Sequence, residues 1–242
     1  MSQDPLFHSI VATDVEKSGD RGDNLLLQMR TDLWRILTGT LTRQGIDVTT
    51  LTTLDDGDGY RFLLPASIPP HSLIEPFLGR LGIELRRHRE AASAANRLRL
   101  RVAVHSGLLY RESGGSYTGT PLKDCARLLD APAGRELLAG YPDADMVVLL
   151  SDAFHGDVIA GGTSLDPAWF RRIPITVKEA DRHGWAYLPG VVPPREPEPP
   201  APAGPRPAPV PSRSSAVNIR MGGSNNANSI DTVIGGDHHG RP

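Results

Sequence analysis

Residues 53–62, TLDDGDGYRF, oblige the chain to reverse direction, and that reversal limits the folds open to it. Asp-Gly supplies the positive φ that a tight hairpin turn needs. VTTLTTL (48–54) precedes the turn and YRFLLP (60–65) follows it, both β-prone. Upstream, LFHSIVAT (6–13) reads as a strand. From 23 to about 44, Leu26, Met29, Leu33, Ile36, Leu37 and Leu41 recur at spacings of three and four, the period of a helix. Downstream, HSLIEPFLGRLGIELRRHREAA (71–92) is helical, with Pro76 in an early turn or at a break. RLRLRVAVHSG (97–107) is then a strand ended by Gly107. Strand, helix, hairpin, helix, strand is the β-α-β-β-α-β order of an α+β, ferredoxin-like sheet with its helices on one face. The other face needs a cover, which a second subunit could supply. The chain continues with a helix over LKDCARLLDA (122–131), a strand over MVVLLS (146–151) and a closing hairpin over IPITVKEADRHGWAYLP (173–189).

Composition divides the rest. Between Pro189 and Pro211 fall 11 of the chain's 22 prolines, a run that excludes helix and sheet and reads as an extended spacer. The expected organisation is a domain over 5–189, a Pro-rich linker over 190–212 and a Gly/Asn-rich tail over 213–242. With 26 basic and 28 acidic residues, the formal charge of −2 leaves no electrostatic basis for binding nucleic acid. The lone Cys125 excludes an internal disulfide and fits a reducing compartment. No signal-peptide pattern opens the sequence and no apolar run reaches membrane-spanning length, so a cytoplasmic, soluble protein is expected.

The hairpin carries more acid than a turn requires: Asp55, Asp56 and Asp58. In a ferredoxin-like sheet the first strand neighbours the hairpin, so Asp14, just past the first apolar run, can lie beside that cluster. Two carboxylates on adjacent strand ends make a hard-oxygen site suited to Mg²⁺ or Mn²⁺. The alternative is a pair of solvated turns.

Further motifs extend the pattern: RVAVHSG (101–107), GTPLKDCARL (119–128) and Lys178 in the closing hairpin. With Asp14 and the Gly57-Asp58 turn, they resemble in order and spacing the catalytic domain of class III adenylate/guanylate cyclases, over about residues 7–188. The phrases DVEKSGDR (14–21) and RLLDAP (127–132) are similar to those of a group of actinobacterial cyclase-like domains. The resemblance implies two metal ions per site, Mg²⁺ or Mn²⁺, held by Asp14 and Asp58. It implies that Arg127 stabilises charge on the α-phosphate and that Lys178 holds the terminal phosphates. It also implies a homodimer in which each site draws on both subunits. The substrate would be a nucleoside triphosphate and the products a 3′,5′-cyclic nucleotide and pyrophosphate.

Three positions depart from the family. The base-contacting lysine is Leu54, the second base-contacting residue is Thr120, and the ribose-orienting asparagine is Lys123. Neither the ATP-selecting nor the GTP-selecting pair is present, and Lys123 places a cation where a neutral amide belongs. A nucleotide-binding module without efficient turnover, recruiting a partner through its tail, is therefore the alternative to a cyclase. His105, on a central strand, is expected to be a core histidine, and Cys125 a buried packing residue. His238 and His239 form an adjacent pair in the tail, to which no site is assigned.

The tail has its own pattern. Val217, Ile219 and Met221 alternate, Ile230, Val233 and Ile234 form a second apolar patch, and Asn225, Asn226 and Asn228 could stack as ladders. IRMGGSN (219–225) resembles the core of RIP homotypic interaction motifs, and such tails occur in bacterial amyloid signalling motifs. The segment reads either as a disordered end or as one that stacks on a partner's tail.

Overall fold

The computed structural model describes residues 4–177 and 180–191. Lys178 and the segments 192–212 and 213–242, with nearly all of the expected linker and the whole tail, lie outside the described residues.

Chain order is β1 (Leu6–Val15), α1 (Asp23–Thr42), β2 (Thr52–Asp55), β3 (Tyr60–Pro65), α2 (Gly79–Ala91), β4 (Leu100–Arg111) and β5 (Tyr117–Thr118). Then follow α3 (Thr120–Leu129), α4 (Pro132–Gly140), β6 (Met146–Ser151), α5 (Asp152–Phe154), β7 (Arg171–Val177) and β8 (Ala180–Tyr187). One mixed sheet runs β2-β3-β1-β4-β6-β8-β7, with β5 paired to β4. Its first half, β2-β3-β1-β4, is the ferredoxin-like arrangement the sequence predicts. Among the described residues β4 and β6 alone pair in parallel; the other neighbours are antiparallel.

Helices cover both faces of this sheet. Met29, Leu33, Ile36 and Leu37 of α1, with Leu81 and Leu85 of α2, are buried against Val11, Phe62, Val102 and Val148. On the opposite face Cys125 and Leu128 of α3 and Leu138 of α4 are buried against Ile10, Leu63, Ala103 and Leu149. The expectation that helices occupy one face, leaving the other for a second subunit, is corrected: α3 and α4 fill it. Their sequence carries the reason, since α3 pairs a buried stripe with a polar one.

Two boundaries differ from the sequence reading and one agrees with it. Val48–Thr50 form a short helical turn rather than strand, because Asp47 accepts the Thr49 amide at 3.0 Å and caps it. The second helical segment breaks where expected: Glu75, before Pro76, has extended backbone. Strand β4 runs through Gly107 to Arg111, because its pairing with β1 continues to Leu6↔Leu109. Gly107 is required there for a different reason: a Cβ on it would lie 2.5 Å from Pro121 Cγ of α3.

The hairpin presses closely on β1. A Cβ on Gly59 would lie 1.7 Å from the Thr13 carbonyl oxygen. Regular pairing of β1 with β3 ends at Ala12↔Arg61. Beyond it the Thr13 hydroxyl donates to the Tyr60 carbonyl and accepts from the Tyr60 amide, both at 3.1 Å. The Val15 amide then donates to the Asp58 carbonyl at 3.2 Å.

Two predictions follow from this packing. Gly59→Ala must displace backbone, so it is expected to cost about 3 kcal/mol in urea unfolding. Gly114→Ala, where nothing lies within 4 Å, should stay within about 0.5 kcal/mol. The second concerns His155, buried and stacked on Trp185 with centroids 4.0 Å apart and planes 9° apart. Burial lowers its pKa below the ordinary histidine value. The unfolded chain therefore takes up a proton first. Stability is complete above about pH 6.5 and falls as the pH drops below it. Denaturation at about pH 7.5 and about pH 5 should show a smaller loss for His155→Phe, which keeps the stack and removes the titration.

Candidate nucleotide and metal site

The acids of the hairpin separate into two that hold the turn and one that does not. Asp55 accepts the Gly57 amide at 2.9 Å and an Arg30 guanidinium nitrogen at 2.5 Å, and these bonds hold its carboxyl below the usual range. Arg30 also donates to the Gly57 carbonyl. Asp56 takes a two-pronged bond from Arg61, at 2.6 and 2.5 Å. Both acids are spent on cross-linking the hairpin. Among the described residues the Asp58 carboxylate accepts one bond, from the Ser18 hydroxyl at 2.6 Å, in the turn that follows β1.

Asp14 ends β1 opposite Arg101 of β4 and forms an ion pair with it; the two side chains are 12% and 13% exposed. The other carboxylate oxygen of Asp14, Oδ1, is buried with no hydrogen-bond partner among the described residues, as is Arg101 Nε. The Val15 amide bond to the Asp58 carbonyl sets the backbone of the hairpin turn against the residue after Asp14. The donors of Asp14 and Asp58 fit a divalent cation: one unpartnered buried oxygen on Asp14, and Asp58 held by a single hydroxyl. Arg101 competes for the same carboxylate. Among the described residues no group of three or more His, Cys, Asp or Glu side chains gathers, so a bound ion would draw further ligands from backbone, water or phosphate.

The remaining predicted residues group elsewhere. Thr120, Lys123 and Arg127 share the solvent face of α3, while Cys125 and Leu128 point into the core. Arg127 is paired to Asp124 at 3.0 Å. Among the described residues, no hydrogen bond or ion pair joins these three to Asp14 or Asp58. Leu54 is half-buried on the edge strand β2 and faces Arg61 in register. Cys125 is fully buried, which pushes its thiol up to about 12, so it is inert packing as expected.

His105 departs from the sequence reading. It is half-buried, not core; its Nδ1 lies 2.7 Å from Ser151 Oγ, and it lines a cavity of about 400 Å³ beside α3. Sequence reading also missed Arg101, Arg182 and Asp124. Arg101 was legible as the residue alternating with Ala103 and His105 on one strand face, but its partner across β1 was not.

If Asp14 is poised for a cation, Arg101→Gln leaves a buried uncompensated carboxylate and should destabilise the chelator-treated protein by about 3 kcal/mol or more. Millimolar Mn²⁺ should restore part of that loss in thermal unfolding, through binding to the folded state. Identical unfolding curves with and without Mn²⁺, in both forms, would remove the cation assignment.

No protein-family model matches the sequence, and no curated protein matches it in sequence. In structure the chain is similar to the guanylyl cyclase Cya2, at 12% identity and TM-score 0.55, over 78% of this chain and 93% of that one. It is similar to an adenylate/guanylate cyclase/hydrolase from Silicibacter pomeroyi, at 14% identity and TM-score 0.55, over 78% and 100%. A third is the guanylate cyclase domain of RhGC from Catenaria anguillulae in complex with GTP, at 11% identity and TM-score 0.51, over 76% and 97%. At such identities the likeness is one of fold: the mixed sheet and its two helical layers are those of adenylate and guanylate cyclase domains.

Proposed function

We propose that this chain is a divergent class III nucleotidyl cyclase acting as a homodimer in a signalling or defence setting. The observation that carries the reading is the grouping of the predicted residues. The turn that carries Asp58 is bonded to Val15, next to Asp14, and Thr120, Lys123 and Arg127 share one face of α3, with no bond between the two groups among the described residues. Two subunits placed so that one group faces the other complete a site that neither holds alone.

In this reading Asp14 and Asp58 would hold two divalent ions, which supply charge to neutralise the triphosphate and favour the ionised 3′-oxygen. That oxygen attacks the α-phosphorus and pyrophosphate leaves. Arg127 offers its guanidinium to the α-phosphate oxygens as charge develops. Lys123 replaces a neutral donor with a cation and would contact phosphate or ribose, Lys178 the terminal phosphates, and Leu54 and Thr120 the base. Leucine has no hydrogen-bonding group, so base selection would be loose. The 190–212 run is proposed as a stiff spacer and 213–242 as a stacking motif that recruits a partner's tail; a cytoplasmic location fits this role. Among the described residues no helix is long and apolar enough to cross a membrane.

A second reading, a nucleotide-binding module without turnover, is favoured by one observation: Arg101 already neutralises Asp14. Incubation with each of the four nucleoside triphosphates and Mn²⁺, with chromatography of the products, separates the two. The cyclase reading expects cyclic product, lowered at least about 10²-fold by Arg127→Ala and about 10³-fold by Asp58→Ala. Nucleotide binding without product from any triphosphate establishes the module. Absence of both excludes both readings.

A further inference from the structure

The cavity beside α3 is walled by cations from three different elements: Arg127 of α3, Arg172 of β7 and Arg182 of β8. His105 and Ser151, hydrogen-bonded to each other at 2.7 Å, also line it. Ser151 accepts the Phe154 amide at 3.2 Å as well, so this part of the wall is polar and fixed from outside the cavity.

Three guanidiniums gathered round one space repel one another unless an anion sits among them. Asp124 is that anion. Its Oδ1 lies 3.0 Å from Arg127 Nη1 and its Oδ2 lies 2.8 Å from Arg182 Nη1, one oxygen for each arginine. Asp124 is 20% exposed, whereas Arg127 and Arg182 are 45% and 50% exposed. The carboxylate is therefore the seated partner and the guanidiniums the more accessible ones. Two oxygens bridging two guanidiniums is also the contact that a phosphoryl group makes. Asp152, the other acid of the cavity, accepts the Trp185 indole N–H at 2.8 Å. Three arginines against two aspartates leave the cavity net cationic.

We propose that this cavity takes a phosphate chain within a single subunit, and that Asp124 is the resident counterion which the ligand displaces from Arg127 and Arg182. The proposal deepens the cyclase reading, from which it takes Arg127. It adds Arg182 and Arg172 as phosphate contacts, and it makes Asp124 a brake on binding. Asp14 and Asp58 have no part in it.

The test is calorimetric titration of the full-length protein with inorganic tripolyphosphate, in chelator and at fixed salt, with ATP and GTP titrated in parallel. Wild type should bind tripolyphosphate. Asp124→Asn should bind about tenfold more tightly, and Arg182→Gln at least about tenfold more weakly. Asp32→Asn, an acid on α1 outside the cavity lining, should bind as wild type does. Matching far-UV spectra and melting curves establish that each variant folds, and both Asp124 and Arg182 are accessible enough for these changes. Equal affinity for tripolyphosphate and nucleotide means that phosphate alone is read. Tighter nucleotide binding, lost in Arg182→Gln, means that the cavity belongs to a nucleotide's chain. Either supports the proposal. No binding by wild type, weaker binding by Asp124→Asn, or unchanged binding by Arg182→Gln overturns it. Equal tightening by Asp32→Asn would make the Asp124 effect one of net charge alone and overturn it too. A cyclase assay that yields no product would leave these titrations standing, so the two readings fail separately.

Discussion

Everything placed at the strand ends depends on how closely the hairpin approaches β1 at Gly59. With no Cβ there, the backbone of the turn closes on the Thr13 carbonyl, and the Thr13 hydroxyl takes over both bonds to Tyr60 that regular pairing would have made. One more backbone bond, from the Val15 amide to the Asp58 carbonyl, sets the hairpin turn against the end of the strand that carries Asp14. A side chain at residue 59 would hold the hairpin off that strand end. The extra acids of the turn serve the same closure. Asp55 and Asp56 recruit Arg30 from α1 and Arg61 from β3, so the tip is braced from two directions and Asp58 is left to one short hydroxyl bond from Ser18.

Much of this was legible in the chain. The hairpin, the period of α1 and the alternation of 97–107 are local patterns, and local patterns set the β2-β3-β1-β4 half of the sheet. The approach of the hairpin turn to the end of β1 followed from topology alone, because the ferredoxin-like order makes β1 and β3 neighbours. What could not be read was tertiary. The RLL stretch of α3 announces a helix but not which sheet face it covers, so the second helical layer was missed. The match of Asp14 to Arg101 depends on the register of two strands nearly ninety residues apart in sequence. His105 was misread because the strand alternates as a core strand should, while the side chain faces a cavity at the sheet's far end rather than a packed layer.

A common electrostatic logic links the two groups of candidate residues. Asp14 is held by Arg101, and Arg127 is held by Asp124. Each group that would meet a ligand already has an internal counterion of the opposite sign. Such pairs satisfy the folded domain when nothing is bound, and they set a threshold, since a ligand must offer more charge than the partner it replaces. A multiply charged phosphate chain at the arginines, or a divalent cation at the carboxylates, meets that condition where a monovalent ion does not.

The burial of the two pairs makes these thresholds unequal. Asp14 and Arg101 are both almost buried, on facing strands of a rigid sheet, so neither side chain can swing away without leaving the other uncompensated in a low-dielectric site. Arg127 and Arg182 are half in solvent and reach Asp124 by flexible stems, so they can turn from it to a ligand at little cost in desolvation. Exchange is therefore easier at α3 than at the strand ends. That difference is not legible in the sequence motif, which names the charged residues but not how deeply each pair is buried.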